Sequence, residues 1–521
     1  MATPVNKNWT KFASISDLTD HFVVSGSSKG NRASRGRHIS EYISEIHELY
    51  SADARPWVVG FSGGKDSTAV LQLIYIALLR LPPEQRKKPV FVVSSDTLVE
   101  TPLVVSLVVD TLARVDSAAQ KHGIPLTCHK VVPRIDESFW VNLLGKGYPA
   151  PTKQFRWCTE RLKIDPVSDF IVDRVTEYNE VIVVLGSRKE ESTTRAQVID
   201  KHKRAGSRLA VHTTLANAYI YTPIEDWSVQ DVWDFLNGAE DFQNPWGGSN
   251  YPLWDLYQGS SAGECPLVID ASTPSCGNSR FGCWVCTVVK KDRAMEALID
   301  NGETWMQPLL DFRNMLSHTT APENKNEFRN FKRRTGRVTY TRANGSDEDT
   351  KHIPGPYWMK YRQEWLRELL TIERSLSEQG HPIQLISELE LHAIRNEWKK
   401  DPNEPDWTDS LPALYREVYG RDLEWIEDDA GTFTKPDADL LDELGASRGI
   451  PAELLMKLLE LELAMDGLSK RNRIFDRIHD ILKQDWGTLD EINKRNASFA
   501  SDTDFDERIL MLRDEYEGLR T

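Results

Sequence analysis

From residue 57 onward the chain alternates two rhythms. Short, nearly unbroken apolar runs, "WVVGF", "PVFVVSSD", "LTCHKVV" and "VIVVLGS", alternate with longer stretches of helical period: "STAVLQLIYIALLRL", "TPLVVSLVVDTLARVDSAAQKHG" and a span near 159–178. A further helix, "ISEYISEIHELY", leads into the first run. Strands apolar on both faces and separated by helices predict a parallel sheet covered on each side. Residues 40 to about 240 therefore read as one doubly wound α/β domain. Ahead of it, residues 1–39 form a flexible segment that includes the Gly/Ser-rich, basic "SGSSKGNRASRGR" (25–37). The alternation stops near 240. Residues 241–290 are rich in Gly, Pro, Ser and Cys, and beyond 290 the pattern is amphipathic and helical, as in "YWMKYRQEWLRELLTIERSL" and "IQLISELELHAIRNEWKK". The expected architecture is an α/β domain, a cysteine-rich insert and a mainly helical C-terminal domain over 291–521.

Composition adds limits. The 521 residues are 40% hydrophobic and 27% charged, ordinary for a globular chain. No apolar run reaches the roughly 18 residues that span a bilayer, and the first residues lack a signal-peptide apolar core. A cytoplasmic protein without a membrane partner is expected. Six cysteines are too few for a disulfide framework in a chain this long and suit metal ligation or thiol chemistry. The net charge of −15 is unevenly spread, since residues 401–450 hold 14 Asp and Glu against 4 Lys and Arg. A nucleic-acid surface elsewhere stays open.

The densest chemistry lies in "GFSGGKDST" (60–68), between a strand and a helix. Gly63 and Gly64 let the backbone approach a ligand. The helix start favours an anion, Ser62, Ser67 and Thr68 offer hydroxyls, and Lys65 a cation. A plain turn would need only a cap from Asp66 or Ser67. The loop is not G-x-x-x-x-G-K-[ST], because Asp66 follows the lysine. It resembles the PP-loop of the ATP pyrophosphatases, which include the PAPS reductases and several tRNA sulfurtransferases. That resemblance implies ATP cleavage to AMP and pyrophosphate with Mg²⁺, and gives Lys65 and Asp66 catalytic roles.

Three further segments are similar to the PAPS reductases. "VFVVSSDTLVETP" carries Asp96 and Glu100 after the second strand. "LGSRKEESTTRA" carries Arg188 and Arg195 for phosphate or sulfate, and "YTPIEDWSVQDVWDFL" matches a helix. Asp96, Arg188 and Arg195 thus join residues 62–68 as expected ATP or phosphate contacts.

Cys265, Cys276, Cys283 and Cys286 fall within 22 residues, and the last two form a CxxC, the tightest local thiolate chelate. Structural zinc and unliganded buried cysteines are the alternatives. "CTERLKIDP" and "GCWVCT" are similar to the cluster elements of APS reductases. The resemblance implies a [4Fe–4S] cluster on Cys158, Cys276, Cys283 and Cys286, with Cys265 as alternate ligand or sulfur carrier. Cys128, inside a strand, reads as core. An intact ATP-type loop with this cysteine pattern resembles the sulfur-incorporating DndC family of bacterial DNA phosphorothioation. The partners it implies are DNA, a cysteine desulfurase and the modification subunits DndD and DndE. A PAPS/APS reductase, a tRNA thiolase and a non-catalytic sensor of modified DNA are the competing readings.

"NKNEFRNFKRRTGRVTYTR" (324–342) interleaves Arg329, Lys332, Arg333, Arg334 and Arg337 with Phe328, Phe331 and Tyr340. Cations beside stacking rings suit a DNA backbone. The alternative is a solvated face paired with the acidic 401–450 stretch.

Overall fold

A computed structural model describes residues 12–26, 36–191, 207–260, 282–341, 351–426, 433–465 and 473–498. The chain divides into two compact units, Met1–Phe139 with Pro151–Leu316, and Trp140–Ala150 with Ser317–Thr521. Among the described residues no helix is long and apolar enough to cross a membrane.

The first unit is built on a six-stranded sheet. In chain order its elements are α1 (Ile39–Ser51), β1 (Trp57–Gly60), α2 (Lys65–Arg80), β2 (Val90–Ser95), α3 (Pro102–His122), β3 (Leu126–Val131), α4 (Asp165–Tyr178), β4 (Val181–Val184), β5 (Ala210–Val211), β6 (Ala218–Tyr221) and α5 (Val229–Asn237). The strand order is β3-β2-β1-β4-β6-β5. Five strands run parallel, and only the short edge strand β5 is antiparallel to its neighbour. The doubly wound sheet expected from the apolar runs is present, with this one reversed edge.

Local chemistry explains the elements. All four residues of β1 and of β4 are buried, as strands covered on both faces must be. Helix α2 is buried along residues 65–78, so it carries apolar side chains all round rather than on one stripe. Helix α3 starts with a proline at its first turn and ends on Gly123 at φ +62°, the left-handed stop that glycine adopts without strain. The expected helix over 159–178 begins as a wide π-turn at Glu160–Ile164 before α4 proper.

The chain builds β1, β2 and β3 outward in one direction and then returns to place β4 on the other side of β1. That reversal makes a topological switch point between β1 and β4. In open α/β sheets the crevice beyond the strand ends at such a point is where ligands bind.

The second unit is helical, with α6 (Met359–Glu378), α7 (Glu388–Lys399) and α8 (Ser410–Tyr419) at its centre. It also holds a small antiparallel pair, Thr339–Thr341 with Lys351–Ile353. Residues 140–150 belong to it although the sequence places them inside the α/β domain. Their π-turn, Val141–Gly145, is fully buried. Trp398 Nε1 donates to the Leu144 carbonyl at 2.7 Å, Arg362 to Gly145 at 2.8 Å, and Trp140 Nε1 to Leu385 at 2.7 Å. A buried Arg362–Asp401 pair at 2.9 Å stands beside them.

Candidate active site

The turn at 61–64 connects β1 to the start of α2 at the switch point. Gly63 has φ +73°, and a Cβ there would stand 2.4 Å from Val108 Cγ2 of α3. Gly64 is the N-cap of α2 and offers no side chain to it, which leaves the first amides of the helix open to another acceptor. The hydroxyls cross-brace the turn. Ser62 and Ser67 lie 3.1 Å apart, and Ser67 and Thr68 each donate to the Gly64 carbonyl, at 3.0 and 2.9 Å. From the C-terminal end of β4, Gly186 comes so close to α2 that a Cβ would meet the Asp66 carbonyl carbon at 2.9 Å.

Lys65, Asp66 and Arg188 form a buried chain of charge. Lys65 Nζ donates to Asp66 Oδ2 at 3.0 Å, and Arg188 Nε to Asp66 Oδ1 at 2.6 Å. Arg188 is fully buried and also binds Glu190 at 3.2 Å and the Trp227 carbonyl at 3.3 Å. Expected from sequence as a phosphate contact, Arg188 instead faces Asp66 and holds that carboxylate in place. Arg195 lies outside the described residues. Both Asp66 oxygens are engaged by cations, so this arrangement does not fit Asp66 as a magnesium ligand. Tyr257, whose part the sequence gave no sign of, completes the turn: its hydroxyl accepts from the Lys65 amide at 3.4 Å.

A cleft opens beside the turn, bordered by Gly60, Ser62, Asp96, Glu100, Lys130 and Lys163, with valines of α3 on its apolar side. Asp96 pairs with Lys130 at 3.1 Å. Glu100 pairs with Lys163 at 3.4 Å.

The far end of the cleft meets the cysteines. Residues 99–101 pair with 282–284, as Thr101 N donates to Gly282 O at 2.9 Å and Trp284 N to Val99 O at 3.0 Å. This pairing sets the Cys283 thiol 3.2 Å from Thr97 Oγ1 and 3.8 Å from Glu100 Oε1. Burial, then the Glu100 charge, push that thiol well above its ordinary range. Cys158 is pushed up to about 11, by burial first and by Cys286 second. Cys158, Cys283 and Cys286 thus share one electrostatic neighbourhood although 125 residues of sequence separate the first two. Cys265 and Cys276 lie outside the described residues. Cys128 sits in β3, its thiol raised to about 12 by burial. Among the described residues no three His, Cys, Asp or Glu side chains form a metal-holding group. The donor chemistry of the three thiols is that of iron–sulfur ligands.

Arg313 organises the CxxC turn from behind. Fully buried, it donates to the carbonyls of Cys286 at 2.9 Å, Lys290 at 3.0 Å, and Val289. Nothing near Arg313 in sequence marks it out. Lys163 did have a signal, as the lysine of "CTERLKIDP".

The basic segment 324–342 is largely engaged within the second unit. Arg329 donates to the carbonyls of Gly355 at 2.7 Å and Pro354, and burial lowers its pKa to about 10. Arg334 binds the Lys146 carbonyl at 2.6 Å and Glu397 at 3.3 Å. Arg333 donates to Pro354 at 3.3 Å. Phe328 packs on Tyr361, and Phe331 on Trp358. Among the described residues Arg334 of this segment forms an ion pair with Glu397, and from the 401–450 stretch Asn403 donates to the Arg333 carbonyl at 3.1 Å. Arg333 and Arg337 are exposed.

The fold and the site together are those of a PP-loop domain. Residues 56–288 match the phosphoadenosine phosphosulfate reductase domain, so the chain carries a PAPS reductase-like domain of the PP-loop superfamily, the domain of an enzyme. An uncharacterised protein of Methanocaldococcus jannaschii is 30% identical over 194 residues, 37% of this chain and 34% of the relative. A second from the same organism is 28% identical over 176 residues, 34% of each chain. The chain spans about a third of the length of these curated relatives. Among solved structures, a PAPS reductase from Candida auris in complex with phosphate is 15% identical, covers 40% of this chain and 88% of its own, and has a TM-score of 0.25. The U34-tRNA thiolase NcsA from Methanococcus maripaludis, with its [4Fe–4S] cluster, is 11% identical, covers 45% and 78%, and has a TM-score of 0.24.

Proposed function

We propose that this chain is a DNA sulfurtransferase of the DndC kind, which uses ATP to activate a backbone phosphate for sulfur incorporation. One observation carries the reading: a single cleft runs from Ser62 of the nucleotide turn to Glu100 and Lys163, which border Cys283. A cleft that leads from the nucleotide turn to a residue in contact with a thiol suits an enzyme that activates an oxygen and then replaces it with sulfur. The sequence resemblance set out above supports the same assignment.

In the first step a non-bridging oxygen of the phosphodiester attacks the α-phosphorus of ATP and pyrophosphate leaves. A sulfur nucleophile then attacks the activated backbone phosphorus, and AMP departs with the displaced oxygen. The Asp66 and Ser67 amides at the start of α2 and the Ser62 hydroxyl bind the leaving pyrophosphate, while the Ser67 and Thr68 hydroxyls hold the turn through the Gly64 carbonyl. Lys65, anchored by Asp66, neutralises charge that grows there. Arg188 keeps Asp66 from turning toward solvent. Cys158, Cys283 and Cys286, with Cys276 or Cys265, would hold an iron–sulfur cluster, which supplies a soft site for sulfur at the sulfide level. A cysteine desulfurase delivers the sulfur as a persulfide, which a thiol reductant supplied with it reduces by two electrons to the sulfide level; DndD and DndE are further partners.

The test supplies the protein with ATP, Mg²⁺, duplex DNA, a desulfurase with cysteine and a thiol reductant, and follows both products. Phosphorothioate linkages in digested DNA with stoichiometric AMP and pyrophosphate are expected, and Lys65→Ala abolishes both. ADP and phosphate as products would overturn the adenylation step. Sulfur appearing in tRNA instead of DNA would overturn the substrate.

A further inference from the structure

Trp486, in the helical unit, is 5% exposed, and its indole N–H has no acceptor. Two ammonium groups hang over the same ring, Lys332 Nζ at 5.7 Å and Lys457 Nζ at 5.1 Å from the centroid. Lys457 donates to Gln484 Oε1 at 2.5 Å, and Lys332 also lies over Phe331. Glu453, Asp485, Glu460 and Asp401 attract these lysines from a distance. Among the described residues none reaches ion-pair distance of either, and the Asp485 carboxylate is taken by the Val338 amide at 2.7 Å. Burial lowers both lysines, Lys457 to about 8, and Lys332 adds to the effect on Lys457.

Two like charges held against one ring, beside a buried donor without an acceptor, is a costly arrangement for an empty surface. A tetrahedral oxyanion resolves it, because its oxygens accept from several donors at once and cancel the repulsion. We infer that Lys332, Lys457 and the Trp486 N–H form a phosphate-binding site, and that its occupant is a phosphodiester of the nucleic-acid backbone. The exposed Arg333 and Arg337 on the same loop favour an extended polyanion over an isolated ion. Sequence reading singled out Lys332 but had no reason to join it to Lys457 or Trp486, more than a hundred residues on. The inference rests on the reading of DNA as substrate.

Limited acetylation with peptide mass spectrometry tests it on the unaltered chain. Duplex DNA should reduce acetylation of Lys332 and Lys457 several-fold relative to other lysines. Inorganic phosphate at millimolar concentration should protect the same two lysines more weakly. Protection by phosphate alone, with DNA bound elsewhere, would overturn the nucleic-acid assignment. Protection by neither would overturn the site. A salt titration of DNA affinity is the second arm. The Lys332→Gln/Lys457→Gln double variant should lower the slope of log K against log salt by about 0.9, and each single variant by less, because either lysine alone still neutralises the shared phosphate. Trp486→Phe should weaken binding a few-fold and leave the slope unchanged. Unaltered DNA affinity in all four variants sinks the site but leaves the substrate reading intact. No DNA binding by the parent chain sinks the substrate reading instead.

Discussion

Two residues decide how the nucleotide turn works. Asp66 is buried between two cations, and a buried carboxylate is tolerable only while it keeps its partners. Arg188→Met removes one of them and leaves the Glu190 carboxylate short of a donor as well. Urea unfolding should show a loss of about 3–5 kcal/mol, the cost of breaking a buried pair. Gly63 is the other. An alanine there meets two separate obstacles, the positive φ and the Val108 methyl. Gly63→Ala should abolish ATP binding measured by calorimetry. Adding Val108→Ala relieves only the contact, so thermal stability should recover in part while affinity stays low. Full recovery of affinity would mean that backbone conformation is not what the turn requires.

At the scale of elements, the cysteine turn is shaped by a side chain that carries no sulfur. Arg313 donates to three carbonyls of this segment, those of Cys286, Val289 and Lys290, and so fixes the path of the turn. Arg313→Met fills the space but supplies no hydrogen bond, so the Cys283–Cys286 turn should open. Faster reaction of these thiols with a disulfide reagent, and lower iron after anaerobic reconstitution, are the expected readouts. Cys283→Ser and Cys286→Ser should lose iron outright, because a hydroxyl does not replace a thiolate ligand of a cluster. Zinc in place of iron in the parent chain would overturn the cluster.

Across the whole molecule, the chain passes into the helical unit twice. The turn at 141–145 gives that unit buried side chains and two carbonyls that Trp398 and Arg362 need. A chain cut after residue 316 therefore strands residues 140–150 without the helices that cover them. That fragment should aggregate on size exclusion, and residues 317–521 expressed alone should be protease-sensitive. Co-expression of the two fragments should restore a soluble complex, since the contacts are non-covalent. A monodisperse 1–316 fragment would show that the turn folds back without its partners.

Much of this molecule is legible from its sequence. Three of the four apolar runs, those of β1, β2 and β4, announced a covered parallel sheet, because a strand buried on both faces has no polar positions to alternate with; β3, at the sheet edge, is only partly buried. The Gly-rich turn announced an anion site, because glycine spacing and a following helix are local properties. The reversed edge strand β5 escaped notice because two residues carry no periodicity. Partnership over distance was equally hidden: Arg188 on Asp66, Arg313 on Cys286, Lys457 beside Lys332, and residues 140–150 beneath α7. A side chain's hydrogen-bonding capacity is written in its identity, but its partner is chosen by how the chain returns on itself. Sequence determined the elements and the chemistry available to them; only the tertiary structure decided which charges meet, and so whether an arginine holds a phosphate or holds a carboxylate in place.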